Sequence, residues 1–164
     1  MQTTAMTGDE CFTKTAGGII IPKDSQLMEC LGSLDELNSF IGDAKAALKC
    51  SSCDIGTIEI IDKVQKDLYY LMGFLAMQAS ELAVSIESIN SLIDNLKTEL
   101  PPTTGFIVPG ENPVSAKLHI ARAVCRRCER RLVSIELEGK ELIIKYINRL
   151  SDLLFLLALK TASF

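Results

Sequence analysis

Apolar residues return every three or four positions along almost the whole chain beyond residue 26, and that period decides the fold class. From Leu27 to Leu48 the positions Leu27, Leu31, Leu34, Leu37, Ile41 and Ala44 mark one stripe of a helix. The same period predicts helices over 57–77, over 85–100 with a break near Ser80, from Pro113 to about Glu136, and over 140–161. Punctuation agrees with it. Cys50 to Gly56 reads as a connection, and Pro101-Pro102 stops the third helix. Thr103 to Glu111 reads as extended loop, Asn112-Pro113 as an N-cap and first helical position, and Gly139 as the end of the last connection. Five helices with short connections predict an all-α five-helix bundle. The 164 residues fit one domain, 1–164, whose core needs no covalent staples.

Residues 1–25 lack this period and are rich in Thr and Gly, which suits a loop whose backbone approaches a ligand. The formal net charge of −4 argues against a general nucleic-acid binder. Basic residues nevertheless gather between Lys117 and Arg131, six of them against the single acid Glu129, as expected of a site for a small polyanion. The longest apolar run, Leu153 to Leu159, is far short of the ~20 residues of a membrane span. Met1 to Glu10 is polar without an apolar run, so no signal sequence and a cytoplasmic location are expected.

The six cysteines include two CxxC pairs, Cys50/Cys53 and Cys125/Cys128, a spacing compatible with zinc. The second pair falls on the apolar arc of the fourth helix, where buried free thiols are the simpler reading. Cys50-Ser-Ser-Cys53 lies in the expected connection.

On the fourth helix Leu118, Ala121, Val124, Cys125, Cys128, Leu132 and Ile135 share one arc, and Arg122, Arg126 and Glu129 (i, i+4, i+7) line its margin. Arg130 lies just beyond, and Arg127 and Arg131 point further away. Arginine is used five times between Arg122 and Arg131 and lysine never. A merely solvated face has no reason to exclude lysine, whereas the planar guanidinium suits multidentate phosphate binding. On the fifth helix Asn148 and Asp152 share a face in an apolar context, serving either a helix–helix hydrogen-bond network or the same pocket as Arg122 and Arg126. The single histidine, His119, reads as a packed helix residue. With no multi-histidine metal set, no Ser-His-Asp set and no P-loop, an enzyme of these parts would draw its nucleophile from a cofactor or substrate.

Four segments, in order over nearly the whole chain, resemble the PduO-type ATP:cob(I)alamin adenosyltransferases. They are Thr7-Gly8-Asp9 through Gly17-Gly18 to Pro22-Lys23-Asp24; Gly32-Ser33-Leu34-Asp35-Glu36-Leu37-Asn38-Ser39; Phe106-Ile107-Val108-Pro109-Gly110 leading to Ala121-Arg122 and on through Arg126-Arg127-Cys128-Glu129-Arg130-Arg131; and Asn148-Arg149-Leu150-Ser151-Asp152-Leu153-Leu154-Phe155. The resemblance implies a homotrimer with active sites between subunits, whose substrates are ATP with Mg²⁺ and cobalamin. It implies an N-terminal ATP-binding loop over 1–25, with Thr7, Gly8, Asp9, Thr13 and Lys23 at ATP-contact positions. Arg126, Arg127, Glu129, Arg130 and Asn148 match further nucleotide contacts. Arg122 and Asp35 match an intersubunit pair beside the site. Phe106 matches the aromatic under the corrin ring, with Asp152 on the cobalamin side. The catalytic set so implied is Arg122, Arg126, Glu129 and Asp35, and Mg²⁺ is expected on ATP rather than on protein side chains.

The implied reaction has cobalt(I) attack the 5′-carbon of ATP and expel triphosphate, yielding adenosylcobalamin for a dependent enzyme, with a reductase supplying the reduced cofactor. The chain departs from the family's pattern at Cys11, where glycine is usual, at Ile20, where arginine is usual, and at Met6, where a base is common. These departures motivate a second reading, a catalytically weak cobalamin carrier of the same fold. A purely structural bundle and a zinc protein are the remaining readings.

Overall fold

A computed structural model describes residues 10–51, 54–77, 82–102 and 105–162. Five helices carry the chain: α1 (Gln26–Ser51), α2 (Ile55–Met77), α3 (Ile86–Glu99), α4 (Pro113–Ser134) and α5 (Lys140–Ala162). The first four start where side chains satisfy the free N–H groups of a first turn. The Ser25 hydroxyl accepts from Met28 N at 3.4 Å, Asp54 from Thr57 N at 3.2 Å, Ser85 from Ser88 N at 3.1 Å, and Asn112 from Ser115 N at 2.9 Å. Asn112 also donates through Nδ2 to Thr161 O at 2.6 Å, pinning the start of α4 to the end of α5. The expected connection from Cys50 begins later, because α1 runs through Ser51. The fourth helix stops at Ser134, not Glu136. Ile135 turns extended, and Lys140 Nζ donates to Val133 O (3.1 Å) and Ile135 O (2.6 Å), closing the helix end with a cation. The break expected near Ser80 lies outside the described residues.

α4 is the centre of the bundle. It packs against α1 on one side and α5 on the other, with α2 outside α1 and α3 outside α5. Pairings of Glu29 with Arg131, Glu36 with Arg127 and Asp43 with Lys117 run in opposite directions, so α1 and α4 are antiparallel. One hydrophobic core, dominated by Leu and Ile, joins all five helices. Leu34, Leu37, Ile41 and Ala44 of the expected α1 stripe are fully buried in it. A polar link ties α2 to α5. The Tyr146 hydroxyl donates to Asp67 Oδ2 at 2.7 Å, and Lys63 Nζ holds the same oxygen at 2.8 Å.

Both cysteines of α4 are buried, and they turn in different directions. Cys125 Sγ donates to Ile147 O of α5 (3.2 Å), and Cys128 Sγ to Ser33 O of α1 (2.9 Å). Burial pushes the Cys125 thiol well up and the Cys128 thiol up to about 12. They are protonated hydrogen-bond donors between helices, which is incompatible with a shared zinc thiolate site. Cys50 is exposed, and Cys53 lies outside the described residues.

The N-terminal segment holds a feature the sequence reading lacked. Phe12–Lys14 (β1) and Ile20–Pro22 (β2) pair antiparallel, with Thr13 opposite Ile21. Gly18 takes a φ of 86° in the connecting turn, where Gly18 N donates to Thr15 O at 2.9 Å. Gly17 N donates to Ala76 O at 3.1 Å, and a Cβ at Gly17 would sit 3.1 Å from Met77 O. The close backbone approach this glycine permits is therefore to the C-terminus of α2, capping one of its free carbonyls.

Candidate functional site

The arginines of α4 divide into two groups. Arg127 is ion-paired to Glu36, and Arg131 to Glu29 at 2.5 Å, with a further bond to the Ser33 hydroxyl; all three partners are on α1. Arg122, Arg126 and Arg130 have no acidic partner among the described residues. Arg126 and Arg130 are exposed, and the Arg130 guanidinium reaches back to Arg126 O at 3.0 Å. Arg122 is half-buried, with its Nε sealed from solvent and unpaired. A protein of net charge −4 thus leaves three adjacent cations of one helix uncompensated. Like charges one turn apart repel, and a bound anion would relieve that repulsion.

The neighbouring face of α5 supplies polar groups. Asn148 Nδ2 donates to Glu129 Oε1 at 2.9 Å, and Asn148 Oδ1 accepts from Arg149 at 2.8 Å. Arg149 in turn meets Asp152 at 3.4 Å. The buried Cys125 thiol of the α4–α5 seam feels the charges of Glu129, Arg126 and Asp152. A cleft of about 420 Å³, lined by Glu141, Lys145 and Arg149 of α5 and by Glu129 of α4, opens beside Asn148. Asn148 therefore serves the helix–helix network expected of it, at the edge of a cleft that neither Arg122 nor Arg126 lines.

Other expected residues are more scattered. Thr13 is half-buried in β1. Lys23 follows β2, its backbone N donating to Cys11 O at 2.9 Å. Thr7, Gly8, Asp9 and Met6 lie outside the described residues. Asp35 is exposed on α1 and pairs with no cation among the described residues, so Arg122 and Asp35 do not meet within one chain. Phe106 is 92% exposed, on a loop bracketed by Gly105 (φ 92°) and Gly110 (φ 124°). Of the departures, Cys11 adopts a φ of 62°, the left-handed conformation that favours glycine, and Ile20 is 70% exposed on β2.

Sequence reasoning passed over two residues here. Arg149 lies in the quoted fourth segment, and its contacts with both Asn148 and Asp152 follow from its position on the same helix. His119 reads from sequence as a packed residue and is indeed 5% exposed, with its ring 6.1 Å from Phe155 in an edge arrangement. Its Nδ1, however, is buried without a partner. The one available signal was its place a turn before Arg122.

Comparison with known proteins gives a consistent result. A family model described as cobalamin adenosyltransferase matches residues 3–161. The chain is 37% identical over 165 residues to the human corrinoid adenosyltransferase MMAB, covering 93% of this chain and 65% of that protein. It is 38% identical over 157 residues to the Bacillus subtilis corrinoid adenosyltransferase, covering 91% and 80% respectively. Among solved structures, a variant PduO-type ATP:corrinoid adenosyltransferase from Lactobacillus reuteri, complexed with cobalamin and ATP, superimposes with a TM-score of 0.87 at 25% identity, over 99% of this chain and 94% of that one. With the five-helix bundle, the α4 arginines and these matches together, the chain belongs to the cobalamin adenosyltransferase family.

Proposed function

We propose that this chain transfers the 5′-deoxyadenosyl group of ATP to cob(I)alamin. The observation that carries the reading is the set of three uncompensated arginines, Arg122, Arg126 and Arg130, beside the Glu129–Asn148 bridge. In the reaction the cobalt(I) electron pair forms the Co–C5′ bond, the C5′–O bond breaks, and triphosphate leaves with that bond's electrons. No side-chain nucleophile is required. The protein holds the two substrates in line and places positive charge where the leaving group develops it. Arg126 and Arg130 fit that task, with Glu129 and Asn148 orienting the nucleotide. Arg127 would join them only by leaving Glu36. Mg²⁺ belongs on the phosphates of ATP, where it adds charge against the leaving group; among the described residues no cluster of three His, Cys, Asp or Glu side chains could hold an ion alone.

Thr7, Gly8, Asp9, Thr13 and Lys23 complete the nucleotide site, and Phe106 and Asp152 serve the corrin half. A homotrimer with sites between subunits is supported by Arg122 and Asp35. Both lack a counter-charge among the described residues, and a neighbouring copy can supply each to the other. Among the described residues no helix is long and apolar enough to cross a membrane, which accords with a cytoplasmic enzyme supplied by a reductase and serving an adenosylcobalamin-dependent partner.

Anaerobic incubation of chemically reduced cobalamin with Mg-ATP tests the reading. Formation of the cobalt–carbon product, with one triphosphate per product, is the expected result. Saturable binding of both substrates without product would favour the carrier reading instead. That second reading draws on the left-handed Cys11 and the apolar Ile20, both in the segment assigned to ATP.

A further inference from the structure

Behind the Phe106 loop lies a cavity of about 360 Å³, walled by Leu100, Pro102, Ile107 and Leu159, with Glu111 and Ser115 as polar groups and His119 in its wall. The wall is mainly apolar, so the few polar groups decide what it can hold. The His119 imidazole has no hydrogen-bond partner among the described residues, and its Nδ1 is sealed off. A buried, unpaired N–H is rarer and costlier than an unpaired lone pair, so the proton is assigned to Nε2, leaving a donor without an acceptor. Burial, and then the Arg122 charge, lower the imidazole pKa below its ordinary value, which keeps the ring neutral at pH 7.

We propose that this cavity takes one carboxamide arm of the corrinoid, with His119 donating from Nε2 to the amide carbonyl. The inference rests on the reading that a corrinoid binds beside Phe106. A corrin ring is far too large for the cavity, but one of the short amide-bearing arms around the macrocycle is not. The Glu111 carboxylate and the apolar wall oppose an anion, and the nearby Arg122 opposes a cation. A neutral acceptor on a short chain is what remains, and a primary amide also offers N–H groups to Glu111 or Ser115.

The test compares wild type with His119→Leu and His119→Gln, the second of which places an amide N–H near the Nε2 position. His119→Leu is expected to raise KM for cob(I)alamin about tenfold, as loss of one buried hydrogen bond implies, with KM for ATP unchanged. His119→Gln should restore most of the loss. Cobinamide, which keeps the amide arms and lacks the nucleotide tail, should show the same His119 dependence. Across a set of cobalamin monocarboxylates, wild type should discriminate against one member about tenfold and His119→Leu should not. Wild-type KM in a folded Leu variant would overturn the inference while leaving the adenosyltransferase reading intact. So would loss of the effect with cobinamide, which would put the tail in the cavity. Failure of wild type to discriminate against any monocarboxylate would do the same without relying on a variant. If wild type bound no corrinoid, both readings would fall together.

Discussion

Arg126→Ala separates catalysis from stability, because Arg126 contributes to the two so differently. Its guanidinium is exposed and has no acidic partner among the described residues. The alanine is a good helix former, so the stability change should lie within about 0.5 kcal/mol. With a 164-residue chain that is a melting shift of roughly 2 °C or less. The catalytic effect should be much larger. Removing one pre-placed charge from a developing anion typically costs about 10²–10³ in kcat, or roughly 2.7–4 kcal/mol. The comparison is Arg131→Ala, on the same helix but already tied to Glu29 and Ser33. That substitution should lower stability by up to about 1 kcal/mol, as for a surface ion pair, and leave turnover within a few-fold. Initial rates with reduced cobalamin, beside thermal melts with and without Mg-ATP, measure all of this. Arg126→Ala turning over within threefold of wild type would refute the division of the arginines into site and scaffold. So would Arg131→Ala losing as much activity as Arg126→Ala.

Four further outcomes are expected. Tyr146→Phe keeps the packing volume but removes the donor 2.7 Å from the buried Asp67 carboxylate, and should cost about 1.5–3 kcal/mol in urea unfolding; a loss below about 0.5 kcal/mol would mean Lys63 alone suffices. Cys11→Gly relieves a left-handed residue, worth about 1–2 kcal/mol, less about 0.5–1 kcal/mol of added unfolded-state freedom, so a small gain in hairpin stability is expected and a loss would contradict the strain assignment. The buried neutral His119 should make stability fall with acid: its folded pKa lies below the ordinary 6.5, so its contribution is complete above about pH 6.5 and is lost as pH drops towards the depressed value. His119→Gln should flatten that part of the pH profile, and an unchanged slope would assign it elsewhere. Phe106→Ala should spare ATP binding, since the ring is 92% exposed and free of the α4 cluster, while impairing the corrin half; a collapse of ATP affinity would misplace the loop.

What the sequence disclosed, and what it hid, follows from the range of the interactions involved. The helices were legible because each carries its own stripe and cap; Asn112-Pro113 and Pro101-Pro102 act within a few residues of themselves. The hairpin was not, since three-residue strands are too short to express a period, and their stability draws on Gly17 meeting the end of α2, far away in sequence. Residues 1–9 fall outside the described part, so the Thr7-Gly8-Asp9 expectation remains with the sequence. The arginine cluster was visible as composition, and the helix period already set Arg127 and Arg131 apart from the rest, yet their partners were not visible. Which of five arginines is neutralised depends on Glu29 and Glu36, far away in sequence on α1, and only the antiparallel register of α1 against α4 brings them to Arg131 and Arg127. That register also gives the division a physical cause. Arginines on the α1 side of α4 are committed to holding the bundle, while Arg122, Arg126 and Arg130 meet no acid among the described residues, so one helix serves as scaffold along one edge and leaves its cations open along the other.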